Sequence, residues 1–269
     1  MRKLGLFVLV ALVAPAPASA DTLAPLWSKI QPARGVYTLR QLGQGTGDTV
    51  SLTGRLVLEA KLTCDELTTA MTMELRASGG AQTTTVSLEQ QASESRDGKV
   101  YRFSARTLEN GRESERREGQ AVLQSREGPG EAKIKGSANE DVKLEAGTVL
   151  PGTHLLRMMA AAAESKPAFE SRVFYGLDQM KIVRVKTTIQ GTGRSGKEKG
   201  LGEFADKPGW TIREEHKEEG GQPDGATQNV EMFVTEDAVT TRIVLSIQGL
   251  ELVAVPLSIE KLPKPDCKS

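Results

Sequence analysis

The chain has 269 residues, with 35 basic and 35 acidic side chains, two histidines, two cysteines and only 4% aromatic residues. Balanced charge leaves no electrostatic footprint for nucleic acid or anionic lipid, and so few rings exclude a base-stacking platform. The charges are mixed in sign along the chain, as on a solvated surface.

The N-terminus carries an export signal. Met1-Arg2-Lys3 is a short basic region, and Leu4 to Val13 is an apolar run. That run is too short to span a bilayer, which takes roughly 20 residues. Ala18-Ser19-Ala20 follows as a small-residue cleavage pattern, and Pro15 and Pro17 would break a buried helix here. The reading is a signal peptide over residues 1–20 and a mature periplasmic chain over residues 21–269. No cysteine follows the apolar run to anchor a lipid, and no later segment is apolar for long enough to span a membrane.

Strand signals dominate the first half. Gly35 to Leu42 leads into a Gly-rich turn, Gly43 to Asp48, and Val50 to Leu62 continues as a second strand. Leu67, Thr69, Met71, Met73 and Leu75 fall on alternate positions, the period of a strand with one buried face. Thr83 to Glu89, Lys99 to Thr107 and Gly119 to Gln124 read the same way. Asp97-Gly98, Asn110-Gly111 and Gly128-Pro129-Gly130 separate them, and the first two are strong hairpin signals. The expectation is an antiparallel meander.

One helix interrupts the strands. Pro151-Gly152-Thr153 gives a turn and an N-cap, and Leu155, Met158, Met159 and Ala162 share one helical face. Pro167 ends it. Such a helix would cover an open side of the sheet. Strand candidates then resume at Ala168 to Tyr175, Met180 to Gln190, Trp210 to Glu215, Gln228 to Val234, Ala238 to Gln248 and Leu250 to Ile259. Pro256 marks the last as an edge strand or a bulge. No linker divides the mature chain, so it reads as one domain, which an all-β chain of this length can form.

The cysteines are Cys64 and Cys267. In an exported chain an even count is expected to pair, and no C-x-x-C motif suggests redox chemistry. A loop this long gives a staple of roughly 4–5 kcal/mol in the chain-entropy account.

Other motifs carry less. Gly191 to Lys197 (GTGRSGK) nearly matches a phosphate-binding loop, but Glu198 stands where a hydroxyl is needed and no helix follows. It reads as a polar hairpin loop. Gly43, Gly45 and Gly47 precede a strand, so they read as a turn. His154 and His216 are far apart in sequence and too few for zinc, and His154 reads as a cap or surface residue. Arg112 to Glu118 (RESERRE) reads as a solvated hairpin tip. Glu214, Glu215, Glu218 and Glu219 read as alternating between faces and meeting solvent. No matched acid and base fall on one site, so the expectation is a non-enzymatic protein without metal or cofactor.

Several landmarks together resemble the EipB family of periplasmic cell-envelope integrity proteins. They are Tyr37-Thr38-Leu39, Gly54-Arg55-Leu56, Cys64-Asp65, Leu150-Pro151-Gly152-Thr153-His154, Phe174-Tyr175-Gly176, Trp210, and Leu262-Pro263 before Cys267. The family pattern has Asp-Gly where this chain has Tyr175-Gly176, and aromatic residues where Glu215 to Gly225 is rich in Gly and Glu. The resemblance implies a mainly β fold, a many-stranded antiparallel β-spiral or open barrel-like sheet with a short amphipathic helix. It also implies a structural disulfide between Cys64 and Cys267, a distant architectural likeness to Lol lipoprotein carriers, and no enzymatic activity. It implies a role in envelope integrity through protein–protein binding, with a periplasmic tetratricopeptide-repeat protein as a partner type. A second reading is a periplasmic lipid or lipoprotein carrier, in which Met71, Met73, Met158 and Met159 would line an adaptable apolar cavity.

Overall fold

In the computed structural model, residues 22–42, 51–79, 82–177, 181–219, 228–247 and 250–267 are described. The signal peptide and the Gly43 to Asp48 turn expected above lie outside them. A one-turn helix, α1 (Ala24–Trp27), leads into strands β1 (Ala33–Gln41), β2 (Ser51–Leu62), β3 (Glu66–Gly79), β4 (Gln82–Ser95) and β5 (Val100–Glu109). Then come β6 (Arg112–Leu123), β7 (Gly130–Lys135), β8 (Glu140–Leu144), β9 (Thr148–Val149) and helix α2 (Pro151–Ala163). Strands β10 (Ala168–Phe174), β11 (Ile182–Arg194), β12 (Pro208–Glu218), β13 (Gln228–Thr235), β14 (Thr240–Ile247) and β15 (Leu250–Lys261) complete the chain. No described helix is long and apolar enough to cross a membrane.

All strands join one 15-stranded sheet in the order β8-β7-β6-β5-β4-β3-β2-β1-β15-β14-β13-β12-β11-β10-β9. Two meanders thus run outward from a central pair formed by the first and last strands. The free edges, β8 and β9, are neighbours in sequence, joined only by residues 145–147. A sheet whose two ends are tethered so closely must curl back on itself. Tyr101 and Phe103 on β5 accordingly meet Phe174 on β10 inside, with ring centroids 6.4 and 6.1 Å apart. These strands are remote in the sheet, so the contact crosses the interior.

Side chains rather than a hydrogen-bonded ladder close the seam. Lys181, just before β11, pairs with Glu140 on β8, and Arg117 on β6 reaches the same carboxylate at 3.4 Å. Arg172 on β10 donates to Thr148 Oγ1 at 2.7 Å and lies 3.6 Å from Glu145. Only the β9–β10 pair is parallel, because β9 reaches β10 through the α2 crossover.

Local sequence explains most turns. Asn110 and Gly111 both have positive φ, the combination a two-residue hairpin needs. Asn110 Oδ1 also accepts the Thr85 N–H at 2.9 Å, tying the tip to β4. At Gly176 (φ +75°) a Cβ would come within 2.3 Å of the Phe103 ring, so both backbone and packing call for glycine.

Several expectations are corrected. RESERRE is not a hairpin tip: β6 starts at Arg112, and Arg117 is buried between Glu115 and Glu140. Both sheet faces at this end of the hairpin meet water, so the strand carries no apolar alternation. GTGRSGK is only partly a loop, since β11 runs through Arg194 after a bulge between Ile189 and Gly191. β7, β8 and β9 carry no clear strand signal in the sequence; β7 offers only Ala132 and Ile134 as a buried pair, too short a pattern to register. Of the two readings of Pro256 the bulge holds and the edge strand does not, because β15 pairs on both sides and its register with β1 shifts at this point. The missing N–H of Pro256 is accommodated by a register shift opposite, between Val36 and Tyr37, while β14 pairing stops at Ala254.

The tail returns to the start of the chain. Leu262 N donates to Pro32 O at 2.8 Å, Lys264 Nζ reaches Ser28 O at 3.1 Å, and Cys267 is bonded to Cys64 in the β2–β3 turn across a sequence separation of 203.

Candidate functional site

Helix α2 is the one long element that is not sheet, and it is the part of the molecule where buried chemistry collects. Leu156, Met158, Met159, Ala161 and Ala162 are buried along it. Met159 and Leu156 pack with Leu26, Trp27 and Ile30 of the N-terminal segment, while Met158 and Ala162 pack with Trp210 and Ile212 on β12. The helix therefore occupies the space between two limbs of the sheet. Full burial of such side chains contributes about 1.5–3 kcal/mol each.

Its first turn is held by two carboxylates from different strands. The expected self-contained cap does not exist: the N-cap is Leu150, which offers no side-chain acceptor, and Pro151 occupies the first helical position. Glu94 on β4 supplies the acceptor instead. It takes the Gly152 N–H at 2.5 Å, the Thr153 N–H at 2.8 Å and the Thr153 hydroxyl at 2.8 Å. A carboxylate here satisfies orphan donors and faces the positive end of the helix dipole. Burial nonetheless dominates, and raises the Glu94 pKa to about 7 against the lowering by those hydrogen bonds.

The second carboxylate is Glu214 on β12. His154 Nε2 donates to Oε1 at 2.8 Å, and His216 Nε2 donates to Oε2 at 3.1 Å. Thr187 Oγ1 adds a longer contact to Oε1 at 3.4 Å. The Glu214, His154 and His216 side chains are only 7%, 6% and 9% exposed. Burial pushes the Glu214 carboxyl up, but the two imidazole hydrogen bonds outweigh it and hold the group well below the usual carboxylate range. Aromatic rings wall the network: Phe169 lies 5.7 Å from His154, and Tyr175 stacks on His216 at 6.3 Å. Burial and the nearby Glu214 charge push the Tyr175 hydroxyl up. The Nδ1 atoms of both histidines are buried without a hydrogen-bond partner.

His154 is thus neither a cap nor a surface residue, and Glu214 does not meet solvent. Positions 214 and 216 share one strand face, which here points inward; Glu215, Glu218 and Glu219 are less buried, and Glu219 pairs with Arg172 and Arg184. Glu94, Thr187 and Tyr175 gave no sequence signal, whereas the Glu-x-His spacing on a strand could have flagged Glu214 with His216. Among the described residues no group of three or more His, Cys, Asp or Glu side chains is arranged to hold a metal ion.

The open spaces lie around this core. A cleft of about 740 Å³ separates the C-terminal half of α2 from the β11–β12 end, with Leu26, Met159 and Trp210 on its floor and Lys29, Lys207 and Glu236 among its lining residues. A groove of about 700 Å³ runs along β3 to β7, lined by Arg102, Gln120, Val122, Glu131 and Lys133. The four methionines do not share one lining. Met71 and Met73 pack against the cluster of Tyr37 and Leu56, and Met158 and Met159 belong to two other clusters.

Comparison with known proteins follows from this architecture. The EipB-like family model matches residues 26–224. The chain belongs to the EipB-like family. That stretch includes both meanders up to β12, the α2 crossover, and the Glu94, His154, Glu214 and His216 side chains. A similar solved structure is the crystal structure of a beta-barrel-like protein of domain of unknown function DUF1849 from Brucella abortus. It superposes with a TM-score of 0.75 over 87% of this chain and 99% of that chain, at 18% identity. The wound, barrel-like sheet of this EipB-like protein is therefore a shared fold. A comparison with curated proteins finds no match.

Proposed function

We propose that this EipB-like protein is a non-enzymatic periplasmic component that supports cell-envelope integrity by binding another envelope protein. One observation carries the reading: Tyr101, Phe103, Phe174 and Leu150 pack together across one end of the interior, α2 packs beside β12, and two sizeable spaces among the described residues are clefts open to solvent. Surface clefts with mixed charged and apolar linings suit recognition of a protein segment better than enclosure of a small substrate. The His154–Glu214–His216 network supports the non-enzymatic reading, because its Nε2 atoms and carboxylate are spent on each other in a buried site. A partner of the tetratricopeptide-repeat type fits the family, and the disulfide fits an oxidising periplasm.

The test is retention of an envelope protein from periplasmic extract on immobilised mature protein. Charge reversal at the cleft, Lys207→Glu, is expected to lower the yield. Retention of no envelope protein contradicts the proposal.

A second reading, a lipid or lipoprotein carrier, is favoured only by the apolar cleft floor of Leu26, Met159 and Trp210.

A further inference from the structure

The network that holds the first turn of α2 contains three ionisable groups in a dry setting, and its proton count sets its charge. With Glu214 ionised and both imidazoles neutral, each Nε2–H donates to one carboxylate oxygen, and each Nδ1 is an acceptor without a partner. The net charge is then −1. One added proton brings it to zero, and a second brings it to +1.

Every proton taken up turns an orphan acceptor into an orphan donor. A cationic imidazole whose new N–H has no partner is more costly to bury than a neutral ring with an unpaired nitrogen lone pair. The second proton also leaves an uncompensated buried positive charge. Among the described residues, no group facing the network offers relief. On α2, Arg157 is engaged with Glu127 and Ser171. Glu94 on β4 is held by Gly152 and Thr153. Thr187 on β11 already points at Glu214, and Tyr101 on β5 and Tyr175 after β10 present neutral phenols. Lys186 and Lys217 lie on the exposed outer face of the sheet.

We propose that His154, Glu214 and His216 form a proton-operated latch on helix α2, closed with the imidazoles neutral or singly protonated and released when both are charged. Acidification of the periplasm, which supplies the protons, is the input. The output is a loosened α2, the helix that supplies Met159, Ala162 and Ala163 to the lining of the larger cleft. Release takes up protons from solvent and breaks only hydrogen bonds.

The experiment is hydrogen exchange of residues 151–163 in the full mature protein, corrected for intrinsic rate, at pH 7.5 and pH 5. It is done in wild type and in a Glu94→Gln background, which keeps the other carboxyl neutral throughout. The expected result is at least tenfold faster α2 exchange at pH 5 in both, and loss of that pH dependence when His154→Gln and His216→Gln are combined. Unchanged α2 protection between the two pH values overturns the latch, as does a full pH effect in the double variant. Should the double variant not fold, wild-type NMR decides, since the chain has only two histidines. Coupled titration of the two imidazole signals alongside loss of α2 protection supports the latch; titration with α2 protection intact refutes it.

Discussion

Ala33 stands opposite Lys261, so the first strand of the sheet is paired with the last. This single registration sets the architecture. Everything between these residues unrolls as two meanders whose outer edges are brought together by residues 145–147. The Cys64–Cys267 bond sits beside the same pairing, fixing the tail to the β2–β3 turn.

The disulfide closes a loop with a sequence separation of 203. The chain-entropy account gives such a closure up to about 5 kcal/mol, a large part of the ~5–15 kcal/mol stability of a domain. Cys64→Ser is expected to lower Tm by many degrees in the absence of reductant, and reductant should bring wild type to the same Tm. Identical melting of oxidised and reduced protein would contradict the assignment.

Glu94 makes stability depend on pH in an unusual direction. Its folded-state pKa of about 7 lies above the ordinary 4.5, so the native state binds the proton more tightly than the unfolded chain. The contribution is fully present below pH 4.5 and is lost as pH rises through about 7. By linkage it amounts to about 3 kcal/mol. Glu214 acts oppositely: its depressed pKa stabilises above pH 4.5 and that contribution is lost as pH falls. Between pH 4.5 and 8 the slope of denaturation midpoint against pH should be more negative in wild type than in Glu94→Gln, because only wild type loses the Glu94 contribution as pH rises through about 7. An unchanged slope in the variant would rule Glu94 out as its source.

The seam predicts a local weakness. Glu140 joins β8 to Lys181 across the junction, while Arg117, on β6 of the same limb, reaches the same carboxylate. Lys181 and Glu140 are partly exposed, and Arg117 keeps Glu115 as a second partner, so loss of the Glu140 charge should cost only about 1 kcal/mol. Glu140→Gln is expected to speed hydrogen exchange in residues 140–144 about fivefold while leaving β1 and β15 protected. Equal acceleration in both regions would mean that the seam does not open independently.

Much of the strand content was legible because strands such as β2, β3 and β13 alternate apolar and polar residues. β7 and β8 escaped notice because two buried apolar residues do not make a pattern. Helix α2 was legible from Met158, Met159 and Ala162, but its cap was not, since Glu94 lies 58 residues from Gly152 in sequence. The His154–Glu214 contact spans 60 residues, and only a curled sheet brings them together. Arg117 misled in another way: a charged side chain inside β6 gives no hint of burial until Glu140 is placed beside it.

The most direct test of binding through surface clefts, with no lipid carried inside, is native mass spectrometry of the protein purified from its own host. The expected mass is that of the mature polypeptide with its disulfide, alone or with a protein partner. A stoichiometric added mass of one acyl lipid would contradict the account and establish the carrier reading instead.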